Sequence, residues 1–200
     1  MNSTRLTNNK NIDTNQKISF YFDGKNYFGY KGDTLASALL ANKIHLVGRS
    51  FKYHRPRGFL SAGTEEPNGI VQLENDNVTE PNRRATEVLL YEGLRATSQN
   101  RWPNIKFDFG AINDFLSPFF PAGFYYKTFM WPPTFWKKYE FFIRHAAGLG
   151  KSPQTDDPHQ YEHYHYHCDL LIVGSGISGL YAAEMIAEKD LKVLLVEQED

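Results

Sequence analysis

The residue types and spacing best suited to chemistry lie in a glycine-rich turn that follows a short apolar run. Leu170–Val173 is a continuous apolar segment, as expected for a strand that is buried on both faces. Gly174, Gly176 and Gly179 follow with the spacing G-x-G-x-x-G. In dinucleotide-binding proteins such glycines permit a tight turn, close approach of the backbone to a pyrophosphate, and close packing of helix on strand. The pattern therefore predicts a site for the phosphates of a dinucleotide.

The helix and strand after this turn complete the predicted site. The free N–H groups at the start of the helix would point at the phosphates. Glu197 ends the second apolar strand, about 20 residues beyond the glycines, where an acid accepts hydrogen bonds from a ribose 2′-OH and disfavours a 2′-phosphate. The motif does not distinguish NAD from FAD, and no catalytic residue is assigned. The predicted cofactor-binding residues are Gly174, Ser175, Gly176, Ile177, Ser178, Gly179 and Glu197.

These elements must be positioned by a larger sheet, because a dinucleotide crevice needs several strand–helix units. The sequence contains the first strand, the glycine turn, the first helix and the second strand of such a unit. We therefore interpret the chain as the front of a larger flavin- or nicotinamide-linked oxidoreductase.

Four histidines and the single cysteine before the apolar run are a candidate metal set: His159, His163, His165, His167 and Cys168. Alternate side chains of an extended segment project to one side, and imidazole with thiolate suits zinc. The segment is interleaved with tyrosines and runs straight into a strand, which favours a structural linker. No metal ligand is therefore assigned, and Cys168 is interpreted as a small buried residue.

Composition limits the class of protein. The chain has 200 residues, a net charge of −1, and 41% hydrophobic and 15% aromatic residues, which suits one or two packed domains. The near-zero charge gives no general reason to expect nucleic-acid or anionic-membrane binding. One cysteine excludes an intrachain disulfide framework and fits a reducing cytoplasm. Residues 1–17 are polar and predicted to be a disordered tail.

Two further segments have competing interpretations. The loop 49–57 mixes Arg49, Lys52, Arg55 and Arg57 with aromatic residues, which could track a nucleic-acid backbone, contact a cofactor phosphate or a partner subunit, or form an internal salt-bridged loop. The internal loop is favoured, because acids follow closely and no matching basic surface exists elsewhere. The aromatic segment 115–136 contains several prolines and a lysine, which argues against a membrane-spanning helix. We expect a connector that later domains or another subunit cover.

The region before the connector has the order of a β-grasp fold. Turn chemistry at Asp23–Asn26 predicts a hairpin, and Asp33 or Thr34 can cap a helix whose inward face is Leu35, Ala38 and Leu39, with Asn42 near its end. The predicted strands cover residues 18–22, 27–30, 69–73 and, less regularly, 86–90.

Several separate motifs lie between about residue 17 and the end of the chain: Gly48–Gly58, Ala62-Gly63, Glu66-Pro67-Asn68, Pro121–Phe129, Ala146–Gly150 and His167-Cys168-Asp169. In this order they resemble the alpha subunit of heterotetrameric sarcosine oxidase. The resemblance implies NAD binding in this subunit. It also implies a β-grasp domain like that of a [2Fe–2S] ferredoxin, but such a cluster needs about four cysteine thiolates and this domain has none, so we expect no cluster.

The resemblance also implies the activity of the whole enzyme. Such enzymes demethylate sarcosine oxidatively to glycine, form hydrogen peroxide and transfer the one-carbon unit to tetrahydrofolate. FAD, FMN and tetrahydrofolate would lie elsewhere in a cytoplasmic complex with beta, gamma and delta subunits. The alternatives are a subunit of an FAD-linked amine or D-amino-acid dehydrogenase, and a non-catalytic docking module.

The resulting fold class is an α+β β-grasp, ferredoxin-like domain without a cluster, followed by the first βαβ unit of an α/β Rossmann-type domain. The expected division is a tail at 1–17, the β-grasp domain at 18–100, the aromatic connector at 101–167 and the start of the dinucleotide-binding domain at 168–200. This fragment alone is expected to be inactive.

Overall fold

The computed structural model describes residues 5, 11–75, 78–119, 131–146, 148–156 and 160–197. Contacts divide the chain into two units, Met1–Pro158 and His159–Asp200. The motif Pro121–Phe129 and the candidate ligand His159 lie outside the described residues. In the described part of the chain, no helix is long and apolar enough to cross a bilayer.

The first unit is built on a mixed five-stranded sheet in the order β2-β1-β7-β5-β6. β1 pairs with β7 in parallel, and the other neighbouring strands are antiparallel. A second, two-stranded sheet joins β3 to β4. This strand order is that of a β-grasp fold, as predicted. The elements are β1 (Asp13–Phe22), β2 (Lys25–Lys31), α1 (Leu35–Ala41), β3 (Gly48–Arg49), β4 (Pro56–Arg57), β5 (Ile70–Asn75), β6 (Val78–Arg84), β7 (Arg95–Ser98), α2 (Ile112–Phe115) and α3 (Trp136–Ala146).

The predicted hairpin forms around Asp23 and Gly24. Their φ angles of +47° and +75° fit a type I′ turn, in which both central residues have positive φ. β1 begins at Asp13 rather than at the predicted residue 18, so residues 13–17 belong to the sheet and not to a tail. Asp13 pairs with Lys31, and the register shifts between Asp13 and Lys17. This segment is polar and lacks the alternation of apolar and polar residues from which a strand is predicted.

Helix α1 follows the predicted pattern and covers one face of the sheet. Thr34 is the residue that caps it, since its side chain accepts a hydrogen bond from the Ser37 N–H at 3.2 Å. Asn42 is the C-cap. The residues on the inward face of α1 are fully buried. They belong to one hydrophobic core together with residues of the strands and of the loops between them. This core includes Phe20, Phe22, Leu35, Leu39, Val47, Val71, Leu73 and Leu94.

The prediction of a strand at residues 86–90 is wrong. Thr86 and Glu87 lie in a turn and Leu89 forms only an isolated bridge to Thr34, so residues 86–90 are not a strand. The sheet instead uses β6 and β7. Proline and polar residues dominate β6, which is tolerated because it is an edge strand. β7 has only four residues, too few for its alternation of buried Ala96 and Ser98 to stand out.

The end of the connector packs back onto this sheet. Gly150 N–H donates to Asn82 Oδ1 at 2.9 Å, and Lys151 N–H donates to Gln72 Oε1 at 3.0 Å. Gly148 has a φ of +63°, and a Cβ there would lie 2.0 Å from Asn100 Oδ1. Glycine is therefore required for this close approach.

The second unit is a parallel strand–helix–strand arrangement, as predicted, with β8 (Leu170–Val173), α4 (Ile177–Ile186) and β9 (Val193–Val196). The expectation that β8 is buried on both faces is wrong for this chain. Ile172 is buried, but Leu171 and Val173 are 51% and 79% exposed. Two strands and one helix are too few layers to cover both faces of a sheet.

A fully buried carboxylate ties together the β2–α1 turn. Asp33 accepts hydrogen bonds from Tyr30 N–H at 2.8 Å, from Ser37 Oγ at 2.7 Å and from both Arg5 guanidinium nitrogens at 2.7 and 2.5 Å. Its side chain is 0% exposed. Because its oxygens are saturated by donors, Asp33 organises the turn while Thr34 takes the capping role.

Replacing this carboxylate by an amide is expected to destabilise the first unit. Asp33→Asn removes the charge that faces Arg5 and sets an NH₂ group against existing donors, at a cost of about 3 kcal/mol. Urea unfolding measures this directly. Asp13→Asn, at a half-buried carboxylate that accepts the N–H of Asn15 two residues away, is the control. A change of less than about 0.5 kcal/mol in Asp33→Asn, the size typical of surface substitutions, would contradict the assigned role.

Candidate nucleotide-binding site

The glycine turn adopts the backbone geometry that its spacing predicts. Gly174 leaves β8 with a φ of +97°, a conformation that side chains rarely adopt. Gly176 is the N-cap of α4. A Cβ at Gly179 would lie 2.0 Å from the Gly174 carbonyl oxygen, whereas a Cβ at Gly176 would meet no atom within 4 Å. Gly179 is thus required by the turn itself, and Gly176 leaves open space beside it.

The start of α4 presents N–H groups that the helix cannot use. Leu180 N–H donates to the Gly176 carbonyl as the first hydrogen bond of the helix, so the preceding helical N–H groups have no acceptor within it. No side chain accepts a hydrogen bond as a cap there. Ile177 is 90% exposed and Ser178 is also exposed. The N–H groups and the positive end of the helix dipole together suit an anionic phosphate.

Glu197 contacts the turn from the end of β9. Its Oε2 accepts hydrogen bonds from Ser175 N–H at 2.5 Å and from Ser175 Oγ at 2.6 Å. The parallel pairing of β8 with β9 brings together these two residues, which are 22 positions apart in the sequence. The carboxylate is exposed at the same edge as the glycine turn, where an acceptor for a sugar hydroxyl is needed.

The structure describes the histidine-rich segment from Gln160 onward. Among the described residues, no group of three or more His, Cys, Asp or Glu side chains could hold a metal ion. His163, His165 and His167 are exposed. Cys168 is a half-buried free thiol rather than the fully buried residue expected from sequence. The tyrosines of this segment are about two-thirds exposed. Tyr164 and Tyr166 contact each other, with ring centroids 6.2 Å apart.

The basic loop is largely tied to neighbouring segments. Arg49 donates to the carbonyl oxygens of Ile105 at 3.0 and 2.6 Å and of His54 at 3.0 Å. Arg55 pairs with Asp114 at 2.6 Å. These contacts agree with an internal loop for two of its four cations, although the partners of Arg49 are mostly carbonyl groups.

Comparison with known proteins agrees with both units. Residues 15–101 match the 2Fe-2S iron-sulfur cluster binding domain family, and residues 172–200 match an NAD(P)-binding Rossmann-like domain family. Over 199 residues the chain is 56% identical to sarcosine oxidase subunit alpha of Rhizobium meliloti (strain 1021), which covers 99% of this chain and 20% of that protein. The chain is homologous to sarcosine oxidase alpha subunits.

Two further similarities are more distant, one to a protein sequence and one to a solved structure. Sarcosine oxidase subunit alpha of Corynebacterium sp. (strain U-96) is 28% identical over 98% of this chain and 16% of that protein. The chain thus spans about a fifth or less of the length of these relatives. The crystal structure of L-proline dehydrogenase from P. horikoshii aligns with a TM-score of 0.43 and 19% identity, over 90% of this chain and 24% of that one. The similarity to the sarcosine oxidase alpha subunits confirms the resemblance inferred from the motifs.

The residues of the first unit do not fit an iron–sulfur cluster. Cluster irons are held by cysteine thiolates, with histidine replacing some of them in certain centres. The segment that matches the cluster-binding family contains no cysteine, and Cys168 belongs to the second unit. The donor chemistry that such a cluster requires is therefore missing from this segment.

A buried carboxylate organises the loop 60–69 of this unit. Glu66 is 1% exposed, and its two oxygens accept four backbone N–H groups at 2.6 to 3.1 Å. Burial raises the pKa of Glu66, but the four N–H donors outweigh it and leave the pKa below its ordinary value of 4.5. The sequence motif Glu66-Pro67-Asn68 contains this residue, although sequence reasoning did not assign it a role. The donors belong to Leu60, Ser61, Asn68 and Gly69.

The geometry predicts different effects for two alanine substitutions in the glycine turn. Gly179→Ala sets a Cβ against a backbone oxygen, so hydrogen exchange of residues 170–186 should become faster as the turn separates from the helix. Gly176→Ala adds a Cβ to open space and should leave exchange nearly unchanged. Equal exchange in the two variants would contradict the role assigned to Gly179.

The Glu66 carboxylate predicts a pH-dependent contribution to stability. Because its pKa is lowered in the folded state, the ionised group stabilises the fold above about pH 4.5, and this contribution is lost as the pH falls through the lower, folded-state pKa. Glu66→Gln should reduce the free energy of unfolding by about 2–3 kcal/mol at pH 7, and the difference from the unsubstituted chain should shrink in acid.

Urea unfolding at several pH values from neutral to acidic measures that difference. Glu65→Gln is the matched control, since Glu65 is the exposed neighbour of Glu66. A Glu66→Gln effect that stays constant across this pH range would show that the lost acceptor oxygen, and not the charge, is responsible.

Proposed function

We propose that this chain forms the N-terminal part of a sarcosine oxidase alpha subunit and contributes NAD binding and subunit assembly. The identity of 56% over 99% of the chain is the observation that carries this proposal. The complete enzyme would demethylate sarcosine oxidatively to glycine, produce hydrogen peroxide and pass the one-carbon unit to tetrahydrofolate. No catalytic residue is assigned within this chain, and it is inactive by itself.

The proposed cofactor residues are Gly174, Ser175, Gly176, Ile177, Ser178, Gly179 and Glu197. The open space at Gly176 and the N–H groups that begin α4 suit a pyrophosphate. Bound NAD would supply a nicotinamide ring capable of hydride exchange, while these residues only hold and orient it.

Glu197 is proposed to select NAD over NADP. Its carboxylate already accepts a hydroxyl hydrogen bond from Ser175 at 2.6 Å, which is the kind of contact that a ribose 2′-OH would make. A 2′-phosphate would instead bring like charge to this carboxylate. The acid therefore favours the cofactor that lacks this phosphate.

The remaining assignments follow from the same homology. The β-grasp domain, from Asp13 to about residue 100, is proposed as a scaffold without a cluster, which the lack of cysteine there supports. The connector at 101–167 would pack against other parts of the complex, and 168–200 would open the NAD-binding domain. FAD, FMN and tetrahydrofolate would be held elsewhere, in a cytoplasmic assembly with beta, gamma and delta subunits.

The decisive experiment uses the protein co-expressed with its genomic neighbours. The complex is purified and denatured, the released nucleotides are identified by mass spectrometry, and peroxide formation is measured with sarcosine. We expect NAD and flavin to be released, peroxide to form, and NADP to be absent. In the Gly176→Ala complex, NAD content should fall by at least about tenfold while assembly is retained, because a Cβ would enter the phosphate space.

Other outcomes of this experiment would favour one of the two alternative functions. Release of FAD alone without peroxide indicates a subunit of an FAD-linked amine or D-amino-acid dehydrogenase. Absence of any nucleotide in an assembled complex indicates a docking module. Retention of NAD in the Gly176→Ala complex would place NAD elsewhere in the enzyme.

A further inference from the structure

We propose that the first unit contains a second anion-binding site, in a cavity of about 460 Å³ beside the β3–β4 sheet, which takes a small phosphorylated molecule such as a nucleotide. The walls come from the segment 48–53, from Arg57, from the segment 67–70, and from residues 99–100 and 148–149. All of these belong to the first unit. The volume falls within the range of about 300 to 1,000 Å³ typical of small-molecule sites.

The charge of the lining has one sign. Arg49, Lys52 and Arg57 line the cavity, and none of the described lining residues is Asp or Glu. The chain as a whole has a net charge of −1, so these cations do not reflect a generally basic protein. A concave surface lined by one sign of charge concentrates ions of the opposite sign.

The acids near this lining have other partners, and one of them, Asp108, also lies 3.9 Å from Arg49. Glu66 is saturated by four backbone N–H groups of its own loop. Asp114 pairs with Arg55, which is not a lining residue. Asp108 lies 2.6 Å from His54 Nδ1 and also accepts the N–H groups of Trp102 and Gly110.

Arg49 is a fixed cation at this cavity. Its side chain is only 8% exposed and is held mainly by carbonyl oxygens, with the Asp108 carboxylate at 3.9 Å from Nε. Carbonyl partners orient the guanidinium, and the Asp108 carboxylate balances part of its charge. Binding of an anion would therefore require little reorganisation of this group, which favours affinity.

Aromatic residues indicate a ligand with a planar group as well as a phosphate. Phe51 and Tyr53 line the same cavity, and Phe51 is 50% exposed. The Lys52 ammonium lies 4.9 Å from the centroid of the Tyr53 ring. Cations beside aromatic faces suit a phosphate joined to a stacking base, as in a nucleotide.

This inference is independent of the glycine turn and goes beyond the NAD site proposed above. It assigns a role to Arg57 and to the cations that line the cavity beside it. Arg57 is exposed on β4 and lines the cavity, so it is the residue whose removal tests the site with the least effect on folding.

The test measures ADP binding to the 200-residue chain by titration calorimetry, with inorganic pyrophosphate as competitor. We expect saturable binding that pyrophosphate displaces and that Arg57→Ala weakens by about tenfold, as for the loss of one charge-assisted contact. Lys52→Ala should weaken it similarly. Arg83→Ala, which removes an equal charge from the edge strand β6 outside the cavity, is the matched control and should have no effect.

A chain with Gly176→Ala distinguishes ADP binding in the cavity from ADP binding at the glycine turn. Continued ADP binding in that variant supports the cavity, whatever happens to NAD binding in the complex. Loss of binding in Gly176→Ala with normal binding in Arg57→Ala and Lys52→Ala overturns the inference and leaves the NAD proposal intact. Absence of ADP and pyrophosphate binding at concentrations up to about 5 mM also overturns it, since that corresponds to very weak affinity. Circular dichroism of each variant confirms that the chain is folded.

Discussion

The loops of the first unit depend on buried carboxylates that collect N–H donors. Asp33 closes the turn before α1, Glu66 closes the loop 60–69, and Asp108 joins the segment 102–110 to His54. Backbone N–H groups that leave water must find acceptors, and a carboxylate offers two oxygens with several lone pairs. Each of these acids is less than 10% exposed. Irregular backbone can therefore be held close to the core without regular secondary structure.

The same arrangement decides the electrostatics of the basic loop. Because nearby acids serve neighbouring donors, the cations at 49–57 are only partly matched by anions. Arg55 finds Asp114 and Arg49 finds carbonyl groups, while Arg57 remains at the surface. An internal loop and an anion site are therefore compatible, since Arg49 and Arg55 hold the loop while Arg49 and Arg57 line the cavity.

The second unit depends on a different interaction, the parallel pairing of β8 with β9. This pairing sets the glycine turn beside Glu197 and defines the edge at which a nucleotide would bind. It does not bury the apolar faces of the strands, since Leu171, Val173 and Leu180 are more than half exposed. Dinucleotide-binding folds cover such faces with further strands and helices. This exposure accords with a chain that spans about one fifth of the length of its relative.

Sequence by itself determined the elements in which local chemistry is strong: the Asp23-Gly24 turn, the inward face of α1, the glycine turn and the parallel strands around it. These rest on positive φ angles, helical periodicity and short apolar runs, all of which act over a few residues. Only the tertiary structure decided the edge strand β6, the short β7, and the roles of Asp33 and Glu66. A strand paired through its backbone, or an acid buried among N–H donors, draws its stability from distant partners that no local pattern contains.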